Sequence, residues 1–235
     1  MNTEITATTK GKADGGEIRI HSDRIDFSRV KIKSESTGKR LNVLGGDSGV
    51  IEFKSKDLTF GEGVSVSTAT LGLGKAGVID IQADTIKMEG GDSHLKAVSI
   101  TGTTRLRDEN GKAGDLVGGI GGAINILGKS ILLGENVKIS SETWGNGSAG
   151  ELKIKSRELA LTDGAQVSVN SGFALDSKYA GKNAFVTGNG GELHIDTERL
   201  NLSNGASLSA ASTACLLYTS PSPRDATLSR MPSSA

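Results

Sequence analysis

The chain has 235 residues, among them 33 Gly, 3 Pro and 1 Cys, with 35% apolar and 3% aromatic side chains. Its 27 basic side chains balance 27 acidic ones, so it lacks the electrostatic footprint of a protein that binds nucleic acid or an anionic membrane. One Cys excludes a disulfide framework, and the few aromatics exclude base-stacking platforms.

Met1–Lys10 has no basic region followed by an apolar stretch, so it reads as no signal peptide. No apolar run reaches the roughly 18 residues of a membrane-crossing helix. Taken along the chain, residues 1–214 contain no Pro, whereas Pro221, Pro223, Pro232 and the sole Cys215 crowd the last 21 residues. Cys215–Asp225 resembles the translation of a transposase-type sequencing adapter, and Ser229–Ala235 its flow-cell end. Residues 1–214 are therefore expected to form one repeat segment, a fragment of a larger protein. Residues 215–235 are expected to be an artefactual or disordered tail.

Six copies of one unit fill the first segment, starting at Gly16, Gly49, Gly77, Gly122, Gly150 and Gly191. In Gly150-Glu-Leu152-Lys-Ile154-Lys-Ser156-Arg-Glu-Leu159-Ala-Leu161, as in every copy, offsets +2, +4, +9 and +11 from the Gly are large and apolar. Offset +6 is always small. Residues +2 and +4 share one face of a strand, as do +9 and +11, because side chains alternate with period two. The odd step from +4 to +9 requires a turn at the small residue. Two short strands joined by a tight corner are thus predicted in each copy. A third strand follows, seen in Val30–Ile32, Val64–Val66, Val137–Ile139 and Val167–Val169. Three strands of this kind make one coil of an all-β parallel β-helix, a solenoid in which neighbouring units bury one another's faces.

Stacking predicts an inward column Ile20, Phe53, Ile81, Ile126, Ile154, Ile195 and a second one Phe27, Phe60, Met88, Leu133, Leu161, Leu202. The missing Pro fits a ladder that needs every N–H, and the excess Gly suggests corners with positive φ. Unit spacings are 49 − 16 = 33, 77 − 49 = 28, 122 − 77 = 45, 150 − 122 = 28 and 191 − 150 = 41. The extra length falls in Thr103–Gly119 and Asn170–Asn189, which should protrude. Val98 and Ile100 in the longest interval suggest an additional half-coil there. The second insertion carries Phe173, Tyr179 and Phe185, a candidate recognition loop for a cell-surface or glycan ligand, because raised aromatics stack on sugars or fill a partner's pocket.

Other motifs dissolve into the repeat. Gly72-Leu-Gly74-Lys-Ala-Gly77 matches the dinucleotide fingerprint, but strand period rather than a helix follows it. Gly128-Lys-Ser resembles the end of a phosphate loop yet is already the +6 corner. Asp108–Asp115 lacks the spacing of a calcium loop, and His21, His94 and His194 lack metal spacing. No catalytic, cofactor-binding or metal residue is expected, and no cofactor. The alternative is a β-helix polysaccharide lyase or hydrolase, whose chemistry needs clustered carboxylates beside a basic group. The outward +3 ladder (Arg19, Glu52, Asp80, Asn125, Lys153, His194) offers only Glu52 and Asp80 side by side, next to Arg19.

The pattern G-E-L-x-I-x-(S/T)-x-x-L-x-L-x-(D/N)-G-A-x-(V/L)-S, clear in Gly150–Ser168 and Gly191–Ser209, resembles the repeats of filamentous haemagglutinin-like large exoproteins, the passengers of two-partner secretion. Asp163-Gly164-Ala165 and Asn204-Gly205-Ala206 carry it most clearly, and it extends over residues 11–213 with the first four units more degenerate. The resemblance implies a right-handed parallel β-helix. It also implies export through an outer-membrane secretion partner, an extracellular or cell-surface location, and a non-catalytic adhesive role.

Overall fold

The computed structural model describes residues 3–10, 13–37, 46–71, 74–90, 93–100, 119–144, 147–171 and 188–212. The other residues, including the 215–235 tail, lie outside that description. The described residues form strands and no helix. In chain order these are β1 (Thr3–Thr6), β2 (Thr9–Lys10), β3 (Ile18–His21), β4 (Arg24–Phe27), β5 (Val30–Lys33), β6 (Ser36–Thr37), β7 (Val50–Lys54), β8 (Asp57–Phe60) and β9 (Ser65–Ser67). They continue as β10 (Thr70–Leu71), β11 (Val78–Met88), β12 (His94–Ile100), β13 (Ala123–Leu133), β14 (Lys138–Trp144), β15 (Glu151–Leu161), β16 (Gln166–Ser171), β17 (Glu192–Leu202) and β18 (Ser207–Ser212).

Two sheets result, one of eight strands and one of ten, and every pairing in them is parallel. The chain visits the eight-stranded sheet and then the ten-stranded one once per unit. Each inner strand pairs with its equivalents in the units before and after, so sequence repetition becomes spatial register.

Ile20 stands opposite Phe53, Phe53 opposite Ile81, Ile81 opposite Ile126, Ile126 opposite Ile154 and Ile154 opposite Ile195. Phe27, Phe60, Met88, Leu133, Leu161 and Leu202 align in the same way. The inner members of both columns are fully buried and form the core. In the first two units the columns converge on three rings, with Phe53 and Phe60 centroids 5.4 Å apart and edge-on.

Four expectations need correction. The predicted corner breaks the strand only in the first two units; β11, β13, β15 and β17 run through it as single strands of 11 residues. There the burial pattern of β11 has two successive exposed residues, Asp84 and Thr85, after inward Ala83. The sheet bends by spending one extra outward residue, and the small +6 side chain occupies the inner angle. A Cβ on Gly128 would stand 3.1 Å from Ile86 and Ile131 side-chain atoms.

The second correction concerns the long third interval. β12 is the ordinary third strand of its unit, pairing with β9 and β14, so among the described residues no additional half-coil intervenes, and Ile81 and Ile126 are direct neighbours.

The third is register. Val167, not Val169, stands opposite Ile139, because the same two-residue left-handed turn precedes both strands, at Glu135 (φ 37°) and Asn136 (φ 61°) and again at Asp163 (φ 51°) and Gly164 (φ 78°), so that Ala165 takes the place Val137 fills one unit earlier. Asn204 and Gly205 repeat that turn.

The last concerns the leading Gly of each unit. Gly49, Gly77, Gly150 and Gly191 are not in the left-handed region; a Cβ on each would overlap the carbonyl oxygen of the preceding leading Gly. Close stacking, rather than positive φ, excludes a side chain there.

One column was not anticipated. Thr9, Ser36, Thr70, Ser99, Thr143, Ser171 and Ser212 follow one another in register through the ten-stranded sheet, and Ser36, Thr70, Thr143 and Ser171 are buried. Thr70 donates to Gly46 O at 3.1 Å, Thr143 to Gly119 O at 2.9 Å, and Ser171 and Ser212 to Gly188 O at 2.9 and 3.0 Å. Each of these four hydroxyls thereby ties the end of a third strand to chain entering a unit.

Candidate functional site

The bending sheet turns its polar face outward, and the charged side chains of the middle units collect there. Alternation along β3, β7, β11 and β13 places Arg19, Glu52, Asp80 and Asn125 in one outward row. The Glu52 side chain in this row is 18% exposed. His21 Nε2 lies 2.5 Å from Glu52 Oε1 and Lys54 Nζ lies 3.2 Å from the same oxygen. The hydrogen bond from His21 and then that from Lys54 hold the Glu52 carboxyl below its ordinary range.

Asp80 accepts from Asn125 Nδ2 at 2.6 Å, while Arg19 turns to Glu17. The basic groups beside Glu52 are therefore His21 and Lys54, two residues along each strand from the row, and not Arg19. A carboxylate held ionised by two donors is suited to ion pairing and to accepting hydrogen bonds. It is poorly placed to give up a proton as a general acid.

A second charged row runs along the bend at offset +7. Asp23 pairs with Lys56 at 3.2 Å, Asp84 with Lys129 at 3.0 Å and Glu198 with Arg157 at 3.8 Å. Beside the last of these, Lys155 pairs with Asp196 at 2.9 Å and Glu158 with Arg199. Hydrogen bonding lowers the Asp196 carboxyl and raises the Lys155 amine. These pairs are largely exposed, so each contributes little to stability, but together they favour one register of units over another.

A shallow groove crosses the bend, lined by Lys54, Gln82, Asp84, Leu127 and Lys129. A second follows the Gly-rich edge where the chain enters units four to six, lined by Ile120, Gly122, Ala149, Glu151, Asn189 and Glu192.

The phosphate-loop resemblance at Gly128 falls inside β13, and β11 follows Gly77 directly, so strands stand where either nucleotide motif needs a helix. His94 Nε2 lies 2.8 Å from Ser65 Oγ, and His194 stands opposite Lys153. Among the described residues no three His, Cys, Asp or Glu side chains gather as a metal site, and no helix is long and apolar enough to cross a membrane. Asp108–Asp115 lies outside the described residues. So do Phe173, Tyr179 and Phe185, but the residues flanking their segment are described: Ser171 Oγ, at the end of β16, donates to Gly188 O, shortly before β17. Sequence reasoning passed over His21 and Lys54 as partners of Glu52. Their signal was available, since both occupy offset +5, one step beyond the outward row on adjoining units.

The chain matches no known protein family, no curated protein and no solved structure.

Proposed function

We propose that this chain is a segment of the shaft of a secreted or surface-exposed bacterial adhesin or exoprotein of filamentous haemagglutinin type. In this reading it is a right-handed parallel β-helix without catalytic activity, exported through an outer-membrane partner. The observation that carries the reading is the unbroken register of one unit over six copies, despite spacings from 28 to 45 residues. Such a stack spends its inward side chains on neighbouring units and leaves insertions free to vary. The Asp-Gly-Ala tripeptide that marks the resemblance has a physical role here, a left-handed turn followed by an inward Ala.

Recognition then belongs to the insertions, first the one bearing Phe173, Tyr179 and Phe185. Attachment of the purified chain to cells or glycan arrays, lost when residues 173–185 are deleted, is the expected result. The polysaccharide lyase or hydrolase reading rests on Glu52 and Asp80 lying on adjoining strands. Polysaccharide cleavage abolished by Glu52→Gln or Asp80→Asn would overturn the shaft reading in its favour.

A further inference from the structure

The outward face of the eight-stranded sheet carries one exposed apolar side chain in the middle of the stack. Leu127, at offset +5 of the fourth unit, is 43% exposed, where the other copies have His21, Lys54, Gln82, Lys155 and Asp196. Charges are ordered on either side of it. At offsets +3, +5 and +7 the second unit has Glu52, Lys54 and Lys56, and the third has Asp80, Gln82 and Asp84. The fifth has Lys153, Lys155 and Arg157, and the sixth has His194, Asp196 and Glu198. Where units two and three carry one sign, units six and five carry the other at nearly every offset.

Such a face is complementary to itself. Rotating a second copy by 180° about an axis along β13 lays face on face with the stacks antiparallel. Unit four then meets unit four, three meets five and two meets six. The rotation preserves strand direction, so each residue meets the partner's residue at its own offset. Asp80 meets the partner's Lys153, Asp84 the partner's Arg157, Lys54 the partner's Asp196 and Lys56 the partner's Glu198, each twice by symmetry. Leu127 meets the partner's Leu127 on the axis, with each Lys129 paired to its own Asp84. Existing pairs are extended rather than broken, since Asp196 comes to lie between its own Lys155 and the partner's Lys54.

The match is specific to this axis. Half a unit toward the third, Lys54 meets the partner's Lys155 and Lys56 the partner's Arg157. Half a unit toward the fifth, Asp84 meets the partner's Glu198 and Lys129 the partner's Arg157. Parallel stacks set Lys153 against the partner's Lys155 and Glu192 against the partner's Glu198. Five units at about 4.8 Å by about seven residues at about 3.3 Å bury about 1,100 Å² over both copies, above the roughly 1,000 Å² that a specific interface needs.

We propose that this face binds a second copy of the chain, giving a two-fold symmetric lateral dimer of antiparallel stacks with Leu127 on its axis. Neither end of the stack takes part, so the dimer is compatible with further units at both ends.

The test uses the full chain. Light scattering at high micromolar concentration should give twice the 24.2 kDa of one chain. Asp80→Lys and Lys153→Asp should each weaken the dimer about tenfold or more, because each puts two like-charged contacts into it. Mixing these two variants restores opposite charges at both contacts, so a mixed dimer should form at the concentration the unaltered protein needs, with both circular dichroism spectra unchanged. In a Cys215→Ser background, Asn125→Cys should be joined by a short bis-maleimide and Lys87→Cys, beyond the bend, should not. A mass of one chain for the unaltered protein would overturn the proposal. A dimer indifferent to both reversals, folded variants that stay single when mixed, or cross-linking through position 87 rather than 125 would overturn it in favour of another interface.

Discussion

Replacing Gly150 by Ala is expected to destabilise the protein by about 4 kcal/mol, the sum of overpacking at about 2 and two lost hydrogen bonds at about 1 each. A Cβ at Gly150 would overlap the Gly122 carbonyl oxygen and crowd Ser141 Oγ at 2.5 Å and the Gly121 carbonyl carbon at 2.6 Å. Two of these three atoms are backbone of the neighbouring unit, so relief requires the units to separate. Separation strains the hydrogen bonds that Gly122 O accepts from Glu151 N at 3.2 Å and from Ser141 Oγ at 2.6 Å. Two other glycines calibrate the effect. Gly205 has φ +80° with nothing within 4 Å of a Cβ, so Ala there should cost about 1 kcal/mol, from left-handed backbone alone. Gly61 has no such φ and its nearest neighbour stands 3.5 Å away, so Ala should be neutral or stabilise by about 0.5 kcal/mol through the unfolded chain. Urea unfolding of the three variants, read from midpoint and slope, gives the order. A loss at Gly150 no larger than that at Gly205 would refute the claim that close stacking excludes a side chain from the leading position.

Thr143→Val removes a buried hydroxyl and leaves Gly119 O without its donor. It should cost about 1–3 kcal/mol in the same assay, and a neutral outcome would mean the hydroxyl column does not hold the chain ends. The Lys155–Asp196 pair makes the last unit sensitive to pH at both extremes. The Asp196 pKa is depressed below an aspartate's ordinary 3.8, so its contribution is present above that value and lost as pH falls through the lower, folded one. Lys155 is raised above 10.5, so its contribution is present below that value and lost as pH rises through the folded one. Intrinsic-rate-corrected hydrogen exchange of Lys155 and Asp196 amides should therefore be slowest between these limits, and exchange insensitive to acid would contradict the pairing.

Four columns of the fold were legible because they are large, apolar and repeated at fixed offsets, a signal only stacking satisfies. The third strand was harder to place. Measured from the leading Gly its central residue lies at 32 − 16 = 16, 66 − 49 = 17 and 95 − 77 = 18, then at 139 − 122, 167 − 150 and 208 − 191, each 17. Val167 and Val169 both suit a period of two, and Ala165, fully buried where Val137 stands in the previous unit, is too small to announce itself. Phase there is set by the Asp163–Gly164 turn, a backbone property that hydrophobicity does not report. The Ser/Thr column escaped for the opposite reason: hydroxyl residues read as surface, although one recurs four residues after each central apolar residue, from Ile32 and Ser36 to Leu208 and Ser212. Around Glu52 the row was legible from strand parity, but the choice of His21 and Lys54 over Arg19 depends on side-chain reach across strands, which spacing alone leaves open.

The Ser171–Gly188 hydrogen bond makes the insertion between them a matter of length. Units two and four span 28 residues and unit five spans 41, an excess of 41 − 28 = 13. Residues 173–185, from Phe173 to Phe185, number 13, and removing them joins Gly172 to Val186. Ser171 and Gly191 are then as far apart in sequence as Thr143 and Gly150 in the preceding unit, a connection that the stack already accommodates. Gly188 falls where Gly147 does there, and the two lie against each other in the stack, a Cβ on Gly188 overlapping Gly147 O. Closing a shorter loop costs less entropy, by about 1.5 kcal/mol for a reduction from roughly 16 residues to 3. The shortened chain is thus expected to be as stable as the full one or slightly more so in urea, with hydrogen-exchange protection of β15 and β17 retained. Under the shaft reading it should also lose attachment to cells or glycans, separating recognition from folding in one variant. A loss of several kcal/mol would mean that Phe173, Tyr179 and Phe185 serve the core, and the assignment of recognition to this insertion would fall.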